Sequence, residues 1–362
     1  MITPALSHRT LLVTTAAAML CACGGSQMPS TVTSVSANSA GKTAGTFVAV
    51  NAVAVPSTML FETTTIAPRA SELRLRSDTA PRSLLYASLA EGEVIYGYKL
   101  PRENPICSTQ LVKSTIVNGI GTDTSGTLWV PTGSTEGGGA IYSYAPKCGA
   151  QGTTLSVPTD AQPTGIAFAS DGTKYGLMDY TNQQTDRSNA SVAVYPSGAT
   201  SPTAELTDPR LNDQKEPAGG VGIDAAGNIY VTCCGSRRSL FAIEFPSGQG
   251  SQKKGKKIPL QQLEWPGAGI TFDGSDNMIV PDQGDNTVKV YAAPYTGKPS
   301  VYPLEGRPGQ CTLSPKQTLL ACGDFSGDTV DVYAYPALTY QYSLKPKGYP
   351  SISFVGAAFA PQ

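Results

Sequence analysis

Asp282-Gln-Gly-Asp-Asn-Thr-Val-Lys-Val-Tyr291 is answered about 40 residues later by Asp324-Phe-Ser-Gly-Asp-Thr-Val-Asp-Val-Tyr333. Each stretch joins an acidic residue and a polar turn to a Thr-Val-x-Val-Tyr alternation, the period-two pattern of a strand with two faces. Working outward, the same phrase returns on both sides. Ile270-Thr-Phe272 and Met278-Ile-Val280 precede the first stretch, and Cys311-Thr-Leu313 and Leu319-Leu-Ala-Cys322 precede the second. Three earlier copies run from Gly119-Ile120 through Gly126-Thr-Leu-Trp-Val130 to Ala140-Ile-Tyr-Ser-Tyr144, from Gly165-Ile-Ala-Phe168 to Val192-Ala-Val-Tyr195, and from Val221-Gly-Ile-Asp224 to Phe241-Ala-Ile-Glu-Phe245. A small sheet repeated at this period cannot bury both faces without neighbours on each side, so the units must be arranged radially.

Spacing within the units supports this. Seven places after Gly119, Gly165, Gly220 and Gly269 stand Gly126, Gly172, Gly227 and Asp276, residue types that tolerate the positive φ of a hairpin turn. The two ends each hold part of a unit: Gly356-Ala-Ala-Phe359 reads as a lone first strand, and Leu84-Leu-Tyr-Ala87 with Val94-Ile-Tyr-Gly-Tyr98 as the strands that should follow it. Pairing them completes one blade and leaves no open edge at the seam. The expected fold is therefore all-β: a six-bladed β-propeller of four-stranded antiparallel blades over residues 81–362, closed by its own termini.

Only 15% of the chain is charged and its formal net charge is −1, which gives no general attraction to nucleic acid. At the N-terminus Arg9, the apolar run Leu11 to Leu20 and the site Leu20-Cys-Ala-Cys23 resemble a bacterial lipoprotein signal. The resemblance implies a signal over residues 1–22, a lipid on Cys23 and a membrane anchor through that lipid. Gly24 stands where such proteins commonly carry an inner-membrane retention Asp, so an outer-membrane lipoprotein facing the periplasm or the exterior is expected. Residues 23–80, dominated by Ser, Thr and Ala, bury too little apolar surface to offset their ordering and read as a flexible tether.

Removing Cys21 with the signal and Cys23 to lipid leaves Cys107, Cys148, Cys233, Cys234, Cys311 and Cys322, an even number in an exported domain. The register that pairs Leu313 with Leu320 sets Cys311 opposite Cys322. Cys107 and Cys148 both follow the Tyr-x-Tyr strands of neighbouring blades and can meet across that boundary. The adjacent Cys233 and Cys234 either close a ring between themselves or pack and pair elsewhere.

The Gly-Ile-x-Phe, Asp-Gly-x-x-Tyr and Asp-x-x-x-x-Thr-Val-x-Val-Tyr patterns resemble six-bladed propellers of the NHL-repeat type and, more distantly, the gluconolactonase/senescence-marker superfamily. Such propellers include lactone hydrolases, lyases and pure binding modules, so the fold does not choose among them. Glu91, Glu93 and Glu136 do not reproduce the metal-binding pattern of the lactonase-like members. The chain's single histidine, His8, lies in the signal, which removes imidazole bases and ligands from the mature domain.

Asp179, Asp282 and Asp324 follow the second strand of their blades. They read as carboxylates that hold the next loop through its backbone N–H groups, or alternatively as oxygen donors to a divalent cation such as calcium. Lys253-Lys254-Gly-Lys256-Lys257 reads as a solvated rim loop, with anionic headgroups or envelope polymer as the other possible contact. Tyr96, Tyr98, Tyr142, Tyr144, Tyr195, Tyr291 and Tyr333 recur where blades pack, with hydroxyls expected at the wet edge. The function expected is a monomeric, non-catalytic module of the cell envelope that needs no cofactor and binds a small molecule or envelope protein. The alternative is a metal-dependent hydrolase or lyase of the sugar-lactonase type built on axial carboxylates.

Overall fold

Six antiparallel sheets stand in sequence around an axis in the computed structural model, which describes residues 83–361 apart from 90–93, 112–115, 118, 134–137, 183–186, 213, 215–216, 234–239, 249 and 346–352. Blade one takes its innermost strand from the C-terminus: Phe354–Phe359 pairs with Leu84–Leu89, followed outward by Val94–Lys99 and Cys107–Gln110. Leu85 faces Phe359, Ala87 faces Ala357 and Leu89 faces Phe354 across the seam. Closure by the two ends is thus as the sequence predicts. Blade two differs from its neighbours in having its innermost strand split into Ile116–Val117 and Gly121–Thr122, both paired to Leu128–Gly133. Blades three to six begin at Gln162–Phe168, Gly220–Ile223, Thr271–Phe272 and Pro308–Leu313 and run outward in chain order.

The seven-residue spacing is a turn. Gly126, Gly172 and Gly227 have φ of 82°, 84° and 84°, and Asp276 and Gln317 hold the same place at 62° and 53°. Each donates its N–H to a carbonyl three residues back, as Gly126 does to Asp123 at 2.9 Å. In blades two and four that Asp also fixes the strand it opens: Asp123 accepts from Trp129 Nε1 and Asp224 from Tyr230 OH, both at 2.9 Å. Innermost strands touch closely around the axis. Gly220 lies so near the Gly269 backbone that a side chain there would overlap it.

Packing between blades is carried by the aromatic that ends each third strand. Tyr98, Tyr144, Tyr195, Phe245, Tyr291 and Tyr333 are essentially fully buried. The sequence reading places their hydroxyls at the wet edge; three of them instead bond to the protein. Tyr195 donates to Ser156 O at 2.9 Å and Tyr291 to Gln261 O at 2.8 Å, while Tyr333 accepts from Glu305 N at 3.2 Å. Each partner lies on the outermost strand of the preceding blade or on the crossing from it. The tyrosine buries its ring and satisfies its hydroxyl on the same neighbour, because a buried phenol left unpaired would be costly.

Two disulfides complete the ring. Cys311 and Cys322 face each other in the predicted register, Cα atoms 4.1 Å apart, and Cys107 joins Cys148 across blades one and two. Cys233 is buried, with its thiol 3.7 Å from Arg210 O, and Cys234 lies outside the described residues.

Candidate functional site

Antiparallel blades bring two kinds of connection to one end of the ring: the turns from second to third strand and the crossings from one blade to the next. At this end the repeat builds the same device twice. Asp282 closes the second strand of blade five and accepts from Glu264 N at 2.7 Å, Trp265 N at 2.8 Å and Gly284 N at 2.9 Å. Asp324, its equivalent in blade six, accepts from Arg307 N at 2.9 Å, Ser326 N at 2.7 Å and Ser326 Oγ at 2.8 Å. Both carboxylates hold a loop through backbone N–H groups, the first of the two roles the sequence allowed.

The consequence lies in what these cradles present. Trp265 and Arg307 occupy equivalent places, each 17 residues before its aspartate. The Arg307 guanidinium lies over the Trp265 ring at 5.8 Å. Both residues are half-buried, and the guanidinium makes no hydrogen bond to another described residue. Sequence reading missed this pair, although the shared 17-residue offset from two repeat positions was available to find it.

The two blades differ in charge. In blade five Lys289, almost wholly buried, is ion-paired with Asp282 and, at 2.9 Å, with Asp285. The register puts Asp331 in the same place in blade six. Burial, together with the charges of Asp324 and Glu305, pushes the Asp331 carboxyl above the usual range, against hydrogen bonds from Ser343 at 2.6 Å and Thr329 at 2.9 Å.

Asp179 does not belong to this set. Lys174 pairs with Tyr195 as Met278 pairs with Tyr291, so Met178, four residues on, rather than Asp179, stands at the position equivalent to Asp282. Successive side chains alternate faces, so Asp179 addresses the opposite side of its blade. Among the described residues no three His, Cys, Asp or Glu side chains converge as a metal site would require. Glu91, Glu93, Glu136 and Cys23 lie outside those residues.

Nearer the axis, Gln310 on the innermost strand of blade six reaches past blade one to blade two. Its Nε2 donates to Ile120 O at 2.7 Å, and its Oε1 accepts from Ile120 N at 2.9 Å. One amide thus spans the ring as a strand would pair. An open groove of about 330 Å³ lies away from the axis, between blades one and two beside the Cys107–Cys148 bridge.

No family model and no curated protein matches the sequence. Solved structures do resemble the fold. A protein of unknown function from Bacteroides caccae superposes with a TM-score of 0.60 at 9% identity, covering 78% of this chain and 100% of that one. A chain of the nidogen/laminin complex gives 0.56 at 18% identity, covering 77% and 98%. At such identities the likeness is one of architecture, and it is that of the β-propeller.

Proposed function

We propose that this chain is an exported, lipid-anchored propeller of NHL-repeat-like type that acts as a binding module in the bacterial cell envelope. In this reading residues 1–22 are a signal, Cys23 carries the lipid, residues 23–80 are the tether, and the ring offers its Trp265–Arg307 end face to a protein or small-molecule partner. No cofactor takes part.

One observation carries the reading. The carboxylates that end the second strands of blades five and six are occupied with backbone N–H groups, and the loops they hold carry a half-buried indole with a guanidinium over its ring. Trp and Arg are the side chains most often found to dominate contact energetics, because each offers a large desolvated face with a directed polar group. The lactonase-type alternative needs carboxylates turned towards a common metal, whereas Asp282 and Asp324 are turned to their own loops.

Photocrosslinking in intact cells tests the proposal, with the reactive group placed at Trp265 and, as comparison, at Lys316 in the turn at the opposite end of the ring. A discrete adduct from position 265 alone supports it. Equal labelling from both positions, or lactone turnover by protein with a stoichiometric metal ion, would overturn it.

A further inference from the structure

Lys253, Lys254, Lys256 and Lys257 surround Gly255 on the turn into the outermost strand of blade four, Lys256–Pro259. A run of like charge on a rim is ordinarily a solvated loop. Here the backbone beneath the charges is fastened down. Gln252 donates its N–H to Glu205 O at 3.1 Å and accepts from Thr207 N at 2.8 Å, bridging to the outermost strand of blade three. Gly255 donates to the fully buried Asp208 at 2.8 Å. Arg210, paired with Asp208 at 2.7 Å, donates in turn to Gly255 O at 2.7 Å. Burial alone would raise the Asp208 carboxyl, but these donors hold it below the usual range and keep the mount ionised. A side chain at position 255 would collide with Ile243 and the Glu244 carbonyl, so only glycine lets the chain lie this close.

The four lysines stand exposed on this mount; Lys256 reaches Glu244 at 2.9 Å and Lys257 lies 4.5 Å over the Phe241 ring. From Pro246 to Leu263 the sequence has no acidic residue; with Glu244 paired to Lys256 and the exposed Glu205 beside Ser251, the four cations still outnumber the carboxylates next to them.

We propose that this fixed basic edge docks on a bilayer carrying anionic phospholipid headgroups. The charges lie along one strand and its turn on the convex circumference of the ring. That shape suits a plane of headgroups and gives a threaded polymer no groove to occupy. The contact is electrostatic and peripheral: it gains with each lysine near an anionic leaflet and is screened by salt. It does not depend on a lipid at Cys23.

The test uses the chain from Gly24 to Gln362, which keeps the whole self-closed ring and lacks any acyl group. Cosedimentation with phosphatidylcholine vesicles, with and without phosphatidylglycerol, should show salt-sensitive binding to the anionic vesicles only. The K253Q/K254Q/K256Q/K257Q variant should bind about 600-fold more weakly, since each of the four lysines near such a surface is worth about a fivefold change. K316Q/K345Q on blade six should bind as the parent does. Three results would overturn the proposal: no binding by the parent, equal binding by the quadruple variant, or tighter binding of soluble polyphosphate than of vesicles at equal charge. Because the parent alone reports salt and lipid dependence, a folding defect in the variant cannot hide the answer. Loss of the Trp265 crosslink would leave this result unchanged.

Discussion

Gln310 and Ile120 stand 190 residues apart in sequence, yet the side-chain amide of one exchanges two hydrogen bonds with the peptide of the other. The clasp joins the innermost strands of blades six and two past the strand that closes the ring. Replacing Gln310 with Ala should therefore cost about 1–3 kcal/mol, the penalty for leaving the Ile120 groups without partners. Gln310→Glu separates the two bonds. A carboxylate can accept from Ile120 N but cannot donate to Ile120 O, so the protonated acid is the form the folded state prefers and its folded pKa is raised. Denaturant unfolding should find this variant closest to the parent near pH 4 and progressively weaker as pH rises.

Lys289 is held in a buried ion pair. Its side chain is about 1% exposed and faces Asp282, which is fully buried. Lys289→Met should destabilise the ring by about 3–5 kcal/mol, because it strands a buried carboxylate. Adding Asp282→Asn should recover part of that loss, and a double-mutant cycle in urea measures the coupling. Equal losses in the single and double variants would remove the ion pair from the account.

Asp331 makes the opposite prediction. Its carboxyl is raised by burial and by Asp324 and Glu305, so ionisation opposes folding at neutral pH. Asn can still accept from Ser343 and Thr329, so Asp331→Asn should stabilise the protein at pH 7. The gain should shrink as pH falls through the raised folded value and vanish below the unfolded value of about 3.9, where both states are protonated. Asp208 and Asp273 act in the other direction: their folded values are depressed, so their contribution is full above the unfolded value and is lost in acid. Unfolding curves at several pH values for parent and D331N separate these effects.

The Cys311–Cys322 bridge closes a short loop within one hairpin. Replacing both with Ser should cost about 2–3 kcal/mol. Non-reducing peptide maps of protein isolated without reductant should recover this pair and Cys107–Cys148. Free thiols at all four positions would contradict the structure.

Cys23→Ser should move the protein from the membrane to the soluble fraction after salt washing while leaving its unfolding transition unchanged. A variant still retained with the membrane would show that another attachment holds it.

What the sequence made legible was whatever recurs with a fixed spacing. The turn glycines, the disulfide register and the loop-holding role of Asp282 and Asp324 all follow from repeat position and strand alternation. Asp179 differs because it stands five residues after the partner of its blade's closing tyrosine, whereas Asp282 and Asp324 stand four after theirs, and one residue along a strand turns the side chain to the other face. Nothing in the alternating pattern marks Lys289, and only its packing against the Asp282 cradle shows its burial. Gln310 was invisible for a different reason: nothing in a linear pattern says which inner-strand residue reaches the axis. The tyrosine hydroxyls were assigned to water because the crossing that receives them belongs to the preceding blade.

Closure by the C-terminal strand underlies every one of these positions, and truncation measures it. Deleting Ser351 to Gln362 removes Phe354, Val355 and Phe359, all at most 6% exposed, and uncovers the edge of Leu84–Leu89. Three large apolar side chains at roughly 1.5–3 kcal/mol each are comparable with the ~5–15 kcal/mol that keeps a typical domain folded. Thermal unfolding of the truncated protein should therefore show aggregation or loss of the cooperative transition. A soluble truncated protein that melts as sharply as the parent would contradict the closed six-bladed ring.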